Sequence, residues 1–468
     1  MPSDLTERTT SSKRDADGLV LHSMLYLVME CARPLAGGMR ISLGKVDEVL
    51  LGRAEERGLE RERDGERVVL RVGIPDKRMS VDHARLRLGG GTVILEDRGS
   101  TNGTRIDGER IDQRALKSGD TFELGQTLLR YVELQERPGW RTPDLDCELV
   151  AAEPAGLLTL DPLHAGKLDR LKRVAASGVP VMLLGETGTG KEVLARAVHA
   201  LSRRPGPFVA VNCGAIPAAL VESQLFGHVK GAFSGALRDE PGVVRSAHSG
   251  TLFLDEIGDL PAPSQAALLR VLQEGEVMPV GATRAVKVDL RVVSATHQPL
   301  DALMERGAFR RDLYARLAGF AYGLPPLRDR RADIGLLLAA LLRSPKVKGS
   351  DELRFKVDAA RALLHYDWPL NVRELEQCLV TSSVLADEGI VRLEDLPPAL
   401  ADAAGSLASQ SDDVAGDRDE AVRRELLLRL AECRGNLSEV ARAMGKARQQ
   451  VQRWVKRFGI DPDAFRER

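Results

Sequence analysis

The chain has 468 residues with 67 Lys+Arg against 68 Asp+Glu and a formal net charge of −1, too long for a single core and enough for about three domains. So even a balance excludes a globally basic nucleic-acid binder, and any DNA contact must come from a local patch. The five cysteines, Cys31, Cys147, Cys213, Cys378 and Cys433, are scattered without a CxxC pair, which argues against structural zinc and for a reducing compartment. No apolar run approaches the ~18 residues that span a bilayer. The stretch Met1 to Gly18 is polar and charged, unlike a signal peptide. The expected location is the cytoplasm, with no membrane partner.

In chain order, residues 1–23 are expected to be disordered, and 24–135 carry the alternation of short strands. Ala84, Leu86 and Leu88 face one way and Arg85 and Arg87 the other, before Gly89-Gly90-Gly91 turns the chain into Val93–Leu95, a hairpin pattern. Residues 136–155, with Pro138, Pro143 and Pro154 among charges, read as a linker. Residues 156–400 mix short apolar runs with helical patterns, an α/β style. An Ala/Ser/Asp/Gly-rich linker over 401–416 precedes a helical region over 417–468.

In the N-terminal domain Leu51-Gly52-Arg53, then Met79-Ser80-Val81-Asp82-His83, then Gly99-Ser100-Thr101-Asn102-Gly103 follow one another on strand-patterned sequence. Ser-Thr-Asn-Gly alone is a turn. The three pieces in order resemble the forkhead-associated (FHA) domain, a β-sandwich whose loops bind phosphothreonine. The resemblance implies that Arg53, Ser80, Thr101 and Asn102 read a Ser/Thr-phosphorylated protein: an arginine and a hydroxyl suit a phosphate, and an amide suits peptide backbone. Val81 departs from the polar residue often found after the serine, and the charged stretch between Arg53 and Ser80 is expected to be an extended loop.

In the central domain Val181–Leu184 is a short apolar run of the buried-strand kind. It enters Gly185-Glu186-Thr187-Gly188-Thr189-Gly190-Lys191, and a helical pattern follows. Strand, glycine-rich turn and helix converge backbone N–H groups on a β-phosphate, while Lys191 reaches the terminal phosphates. The next residue, Glu192, stands where the general pattern places a magnesium-binding hydroxyl. A second apolar run, Thr251–Leu254, ends in Asp255-Glu256, one carboxylate suited to organising Mg²⁺ and the other to polarising water.

GETGTGKE, ESQLFGHVKGAFSGA, GTLFLDEIGDL, FRRDLYARL, LPPLRDRRADI and WPLNVRELE, in this order over residues 180 to about 400, resemble the sigma-54-dependent activators (bacterial enhancer-binding proteins) of the AAA+ class. The resemblance implies an ATPase with a helical lid, using ATP and Mg²⁺ and active as a homo-oligomer, a hexamer. It carries Lys191 onto the Walker A lysine, Asp255 onto the metal-organising acid and Glu256 onto the catalytic base. It assigns Glu192 to an acidic position of the family's loop, Asn212 to restraint of the glutamate, and Thr296-His297 to sensor I. Arg310 and Arg316 match arginines donated to a neighbouring subunit's nucleotide, a task for a permanently charged fork, and Arg373 matches sensor II. Gly231-Ala232-Phe233-Ser234-Gly235-Ala236 matches the loop that grips sigma-54 in the RNA polymerase holoenzyme. Ser234 for Thr, Leu370 for Gly, and a divergent segment 156–165 are departures from the family.

At the C-terminus, Leu426/Leu427/Leu430/Ala431, Leu437/Val440/Ala441/Met444 and Val451/Trp454/Val455/Phe458 form three apolar stripes, with Gly445 between the last two, the spacing of a helix-turn-helix. Arg448, Gln449, Gln450, Gln452, Arg453 and Lys456 remain outside, residue types that serve phosphates and base edges. The run GNLSEVARAMGKARQQVQRWVKRFGI resembles the Fis-type reader that ends these activators, implying enhancer DNA as a partner. The expected fold is multidomain: an all-β FHA sandwich, an α/β AAA+ ATPase with helical lid, and an all-α helix-turn-helix. Two functions stay open here, an ATP-driven activator of sigma-54 polymerase and a phosphorylation-dependent DNA-binding regulator whose ring no longer engages sigma-54; the basic third helix argues against a third, a purely enzymatic AAA+ remodeller of another protein.

Overall fold

Alternation of apolar and polar side chains produces two facing sheets in the N-terminal domain. The computed structural model describes residues 20–136, 142–150, 155–347 and 349–402, and scattered residues between Leu426 and Phe465; these form two compact units divided after Leu400. One sheet is centred on the paired strands Val20–Glu30 and Thr127–Glu136, the other on Glu48–Arg53 between Ala84–Gly89 and Arg67–Ile74. Leu25, Leu27, Ile41 and Phe122 from the first meet Leu51, Leu70, Leu86 and Leu95 from the second in a buried core. The expected hairpin is present, Ala84–Gly89 with Thr92–Asp97. Gly90 (φ +60°) and Gly91 (φ +74°) make its turn, where side chains are disfavoured.

Three boundaries differ from the sequence reading. The first strand starts at Val20, paired with Glu136, and not at residue 24. The charged segment after Arg53 is not an extended loop but a hairpin, Gly58–Asp64 with Arg67–Ile74. Its outer strand is exposed except at Leu59, which packs against the core, and gains order from backbone pairing and an Arg71–Glu62 ion pair at 3.2 Å, so one apolar residue gave no alternation to read. Within the expected linker, Leu145–Asp146 adds an edge strand to Met39–Ser42. Arginines hold that segment: Arg57, buried against Glu30 at 2.5 Å, also reaches Asp146 at 2.8 Å, and Arg61 reaches Asp144 at 2.5 Å.

The central domain has a five-stranded sheet in the order Phe208–Asn212, Thr251–Asp255, Arg291–Thr296, Val181–Leu184, Phe320–Gly323. Every pairing is parallel, and helices cover both faces, which is why the strands read as near-continuous apolar runs. Register places Asp255 beside Asn212 and Leu184 beside Thr296, so the carboxyl ends of the strands gather the candidate residues. The lid adds helices Ile334–Leu342, Val357–His365 and Asn371–Leu385. Trp368 anchors it, fully buried, with Nε1 donating to the Leu363 carbonyl at 2.9 Å.

In the second unit Leu426, Leu430, Val440, Ala441 and Val451 share a buried cluster, as the three stripes require. Helix Leu437–Ala443 begins at Asn436, whose side chain accepts from Ser438 N, a standard N-cap. Gln452 is exposed. The other expected DNA-facing residues, Arg448, Gln449, Gln450, Arg453 and Lys456, lie outside the described residues. Among the described residues no helix is long and apolar enough to cross a membrane.

Two histidines, His164 buried and His365 half-buried, are held toward the neutral ring. Burial, with Arg330 and Lys167, pushes His164 down to about 4, and burial with Arg331, Arg130 and Arg361 does the same to His365. An unfolded histidine titrates near 6.5, so between about 4 and 6.5 the unfolded chain binds more protons and stability rises with pH. Thermal unfolding should therefore lose about 3 kcal/mol per histidine as pH falls through that window. His365→Asn should flatten the slope of melting temperature against pH, and an unchanged slope would remove His365 as a contributor.

Candidate nucleotide site and recognition loops

The segment after Val181–Leu184 folds into a loop because its glycines accept dihedrals other residues avoid: φ is +158° at Gly185, +78° at Gly188 and +103° at Gly190. Helix Lys191–Ser202 starts immediately after it. Lys191 is buried and donates from Nζ to the carbonyls of Gly185 (2.8 Å) and Glu186 (3.2 Å). Burial lowers its pKa, opposed by Glu256 and Asp255. Thr187, Gly188, Lys191 and Glu192 line a cleft of about 540 Å³ together with Asn212, Asp255 and Glu256 from the sheet, and Leu341 and Arg373 from the lid. Thr189 is buried with its hydroxyl donating to the Glu186 carbonyl at 2.8 Å. Glu192 pairs with Arg196 one turn on, at 2.7 Å.

Asp255 and Glu256 end their strand as expected. Burial and the neighbouring Glu256 raise the Asp255 pKa. Glu256 sits at φ +50°, a sparsely populated conformation for a non-glycine residue. Its Oε2 accepts from His297 Nδ1 at 2.7 Å and from His297 N at 3.3 Å. Asn212, expected to restrain this glutamate, instead accepts at Oδ1 from Gly214 N (3.0 Å) and Ala215 N (3.1 Å). In this structure the residue joined to Glu256 is His297. Thr296 is buried, and its carbonyl accepts from Gly185 N at 3.3 Å. Arg310 and Arg316 are exposed on or beside helix Arg311–Leu317, outside the cleft lining, and the Arg310 guanidinium is forked onto Asp312 at 2.7 and 3.0 Å.

One residue behind the cleft was not singled out in the sequence. Asn371 is fully buried at the start of the helix that carries Arg373, with φ +57°. Its Oδ1 accepts from Leu327 N at 2.7 Å, and its Nδ2 donates to Thr187 O at 3.0 Å and Glu186 Oε2 at 3.2 Å. Glu186 is further held by Arg328 at 2.5 and 2.9 Å. Arg328 first, then Asn371, push its carboxyl down to about 2. Lid backbone also touches the loop: a Cβ on Gly188 would lie 2.1 Å from the Leu370 carbonyl.

The Gly231–Ala236 loop closes on itself through Gly231 N to Ala236 O (2.9 Å) and Ala236 N to Phe233 O (3.0 Å). Ala232 packs against Gly281 at the loop's base, and Ser234 and Gly235 are exposed at its tip. Phe233 is 40 % exposed and leans edge-on against His228, while Leu237 beside it is 84 % exposed. Leu237 was not singled out in sequence.

In the N-terminal domain Arg53 ends its strand with its N–H donating to Ser80 O at 2.9 Å. Ser80 Oγ accepts from Thr101 N at 3.2 Å, and Asn102 Nδ2 donates to Arg78 O at 2.6 Å. The four expected residues thus share one loop cluster. Gly52 permits it: a Cβ there would lie 1.8 Å from the Val81 carbonyl. A cleft of about 650 Å³ beside the cluster is lined by Arg53, Arg71 and Arg98 together with Glu60 and Asp82, and Asp82 pairs with Arg98 at 2.8 Å.

These geometries define a P-loop α/β core with a helical lid, preceded by a β-sandwich domain. Residues 159–322 match the Sigma-54 interaction domain, 328–413 the AAA+ ATPase lid domain, 49–125 the FHA domain and 417–462 a Homeodomain-like domain. The chain is 39% identical over 322 residues to the transcriptional regulatory protein GlrR of Escherichia coli (strain K12), covering 66% of this chain and 70% of that one. It is 38% identical over 315 residues to the regulatory protein AtoC of the same strain, covering 65% and 68%. Against the acetoin catabolism regulatory protein of Cupriavidus necator it is 43% identical over 333 residues, 69% of this chain but half of that longer relative. The chain belongs to the family of sigma-54-dependent transcriptional activators.

Asn371→Ala should raise the KM for ATP about tenfold, because it strips partners from buried backbone groups of the loop and lid. Steady-state ATPase kinetics check this, and an unchanged KM would reduce Asn371 to a lid-packing residue.

Proposed function

We propose that this protein hydrolyses ATP to remodel sigma-54 RNA polymerase, binds enhancer DNA through its C-terminal helix-turn-helix, and is controlled by a Ser/Thr-phosphorylated partner read by the FHA domain. The observation that carries the reading is the convergence of Lys191, Asp255, Glu256 and Arg373 on one cleft between sheet and lid. Backbone N–H groups of the Gly185–Gly190 loop and the following helix N-terminus would receive the phosphates. Lys191 and Arg373 offset their charge, and Glu256 takes the proton of the attacking water once it leaves His297. Asp255 suits Mg²⁺, which takes one or two carboxylates alongside phosphates and water, and when bound the ion would neutralise charge on the phosphates. Arg310 and Arg316 are exposed, as donation to a neighbouring subunit requires, which supports a ring, a hexamer by family resemblance. Such an arginine is worth about 10³–10⁵ in rate.

Phe233 and Leu237, exposed on a tight small-residue loop, suit docking onto another protein. Glu256→Ala should spare ATP binding and lower hydrolysis by at least about 10². Phe233→Ala should keep hydrolysis near wild type yet eliminate capture of sigma-54 with a transition-state nucleotide analogue. Wild type that captures no sigma-54 under these conditions would sink the remodelling reading and favour a DNA-binding regulator alone.

Arg53 and the Ser80 hydroxyl can distinguish a phosphothreonine, with its roughly two negative charges, from threonine. Arg53→Ala should weaken phosphothreonine-peptide binding by about 10- to 100-fold in calorimetry and uncouple transcription from kinase activity. A wild type that binds no phosphopeptide would leave the domain as a docking module only.

A further inference from the structure

The FHA domain touches both the lid and the core of the ATPase unit. On the lid side, the end of strand Val20–Glu30 meets helix Ile334–Leu342 so closely that a Cβ on Gly335 would lie 1.7 Å from the Val28 carbonyl. Just beyond that strand, the Cys31 carbonyl accepts from Phe355 N at 2.9 Å, and the Leu35 carbonyl accepts from Arg343 at 2.7 Å. Glu123, 3 % exposed, is clasped by Arg361 at 2.5 and 3.1 Å. On the core side, buried Arg40 donates to the Leu160 carbonyl at 3.1 Å, and a Cβ on Gly38 would lie 2.6 Å from Leu160 Cδ1. Leu160 is itself tied to the lid, its N–H donating to Asp333 at 2.6 Å. Helix Ile334–Leu342 thus presents Gly335 to the FHA domain near one end and Leu341 to the nucleotide cleft near the other.

A continuous hydrogen-bonded route joins this surface to the recognition loops. Asn102 donates to Arg78 O at 2.6 Å, and Arg78 N donates to Asp76 Oδ1 at 2.8 Å. Asp76, 4 % exposed, accepts at Oδ2 from Gln126 N (2.6 Å) and Thr127 Oγ1 (2.9 Å). Cys31 N donates to Gln126 O at 2.9 Å, and the Cys31 carbonyl is the one that Phe355 of the lid engages. A peptide that recruits Asn102 must compete with its bond to Arg78, the first link of this route.

We infer that the lid-facing surface of the FHA domain, built from Val28, Cys31, Gly38, Arg40 and Glu123, is an internal interface that sets the angle between lid and core, with Asp76 linking it to the phosphopeptide loops. The link to phosphopeptide rests on the FHA reading above; the brace itself does not. Docked, the domain fixes one lid angle, and nucleotide and peptide each alter the other's affinity through it. Thermodynamic linkage requires the two effects to be equal.

The test uses the full-length chain, with Gly335→Leu to wedge the interface open at helix Ile334–Leu342 and Arg361→Ala as a second, independent variant that removes the clasp on Glu123 without altering that helix. Two quantities are read: the KM for ATP without peptide, and the affinity for a degenerate phosphothreonine-peptide pool with and without a non-hydrolysable ATP analogue. Wild type should show a peptide affinity that changes by about 5- to 150-fold with nucleotide. Arg361→Ala and Gly335→Leu should shift KM several-fold and bring that ratio toward one, while still binding the phosphopeptide pool. Asp76→Asn should lower the ratio while leaving the KM shift absent. If wild type binds no phosphopeptide, the FHA reading fails and the KM comparison alone decides the brace. Unchanged KM in Arg361→Ala and in folded Gly335→Leu overturns it, as does a nucleotide-dependent ratio that survives both substitutions.

Discussion

A buried amide sits at the centre of the bonds that hold the nucleotide loop to the lid, beside Arg330 donating to Thr189 O at 2.9 Å and Arg373 N donating to Gly188 O at 3.3 Å. Asn371 spends its oxygen on Leu327 N and its nitrogen on Thr187 O and Glu186, so three segments far apart in sequence share one side chain. Asparagine tolerates the positive φ that this position adopts better than most residues do, and its amide supplies donor and acceptor together. Alanine would satisfy none of these groups, and aspartate could not donate. Because Asn371 opens the helix bearing Arg373, any motion of the phosphate loop is passed to the lid through a short, rigid connection.

That connection also explains why a departure from the family's pattern does no local harm. Leu370 stands where glycine is usual, yet its backbone sits at φ −101°, open to any residue, and its side chain points outward, 53 % exposed. Only its carbonyl faces Gly188, and a carbonyl is common to both residues. Glu192, which follows the family's pattern and departs only from the general phosphate-loop one, lines the cleft while paired with Arg196, so the acidic residue is accommodated on the first helical turn, where negative charge is favoured.

What was legible in the sequence was chemistry carried on contiguous residues. The phosphate loop follows from glycines between a strand and a helix, the Asp255-Glu256 pair from its place after an apolar strand, and the Gly89–Gly91 turn from the hairpin around it. Residues whose importance lies in a distant partner were opaque. His297 matters to Glu256, and Asn371 to Thr187, only because parallel register and lid docking bring them together. The charged hairpin Gly58–Ile74 was misread because its outer strand buries only Leu59 and so has no apolar alternation to show. The FHA–lid contact left one faint trace, a glycine in the otherwise apolar IGLLLAALL helix. Glycine is a poor helix former, and here its missing side chain admits the Val28 carbonyl.

Docking alone does not make a regulator. A ligand shifts an equilibrium only by the difference in its affinity for the two states, so the FHA domain can govern the lid only if its contacts differ between lid angles. The contacts seen here are of the kind that differ steeply. Glu123 is almost fully buried, and parting it from Arg361 would strand a desolvated carboxylate, the most costly way to break an ion pair. The Val28 carbonyl against Gly335 leaves no space for sliding, since a displacement of an ångström either opens the contact or drives it into a clash. A contact set of this stiffness behaves as two states, docked and undocked, and not as a graded spring. The cleft-lining end of the same helix would then see the state of the FHA domain as a change in the position of Leu341, within the walls that close on the nucleotide.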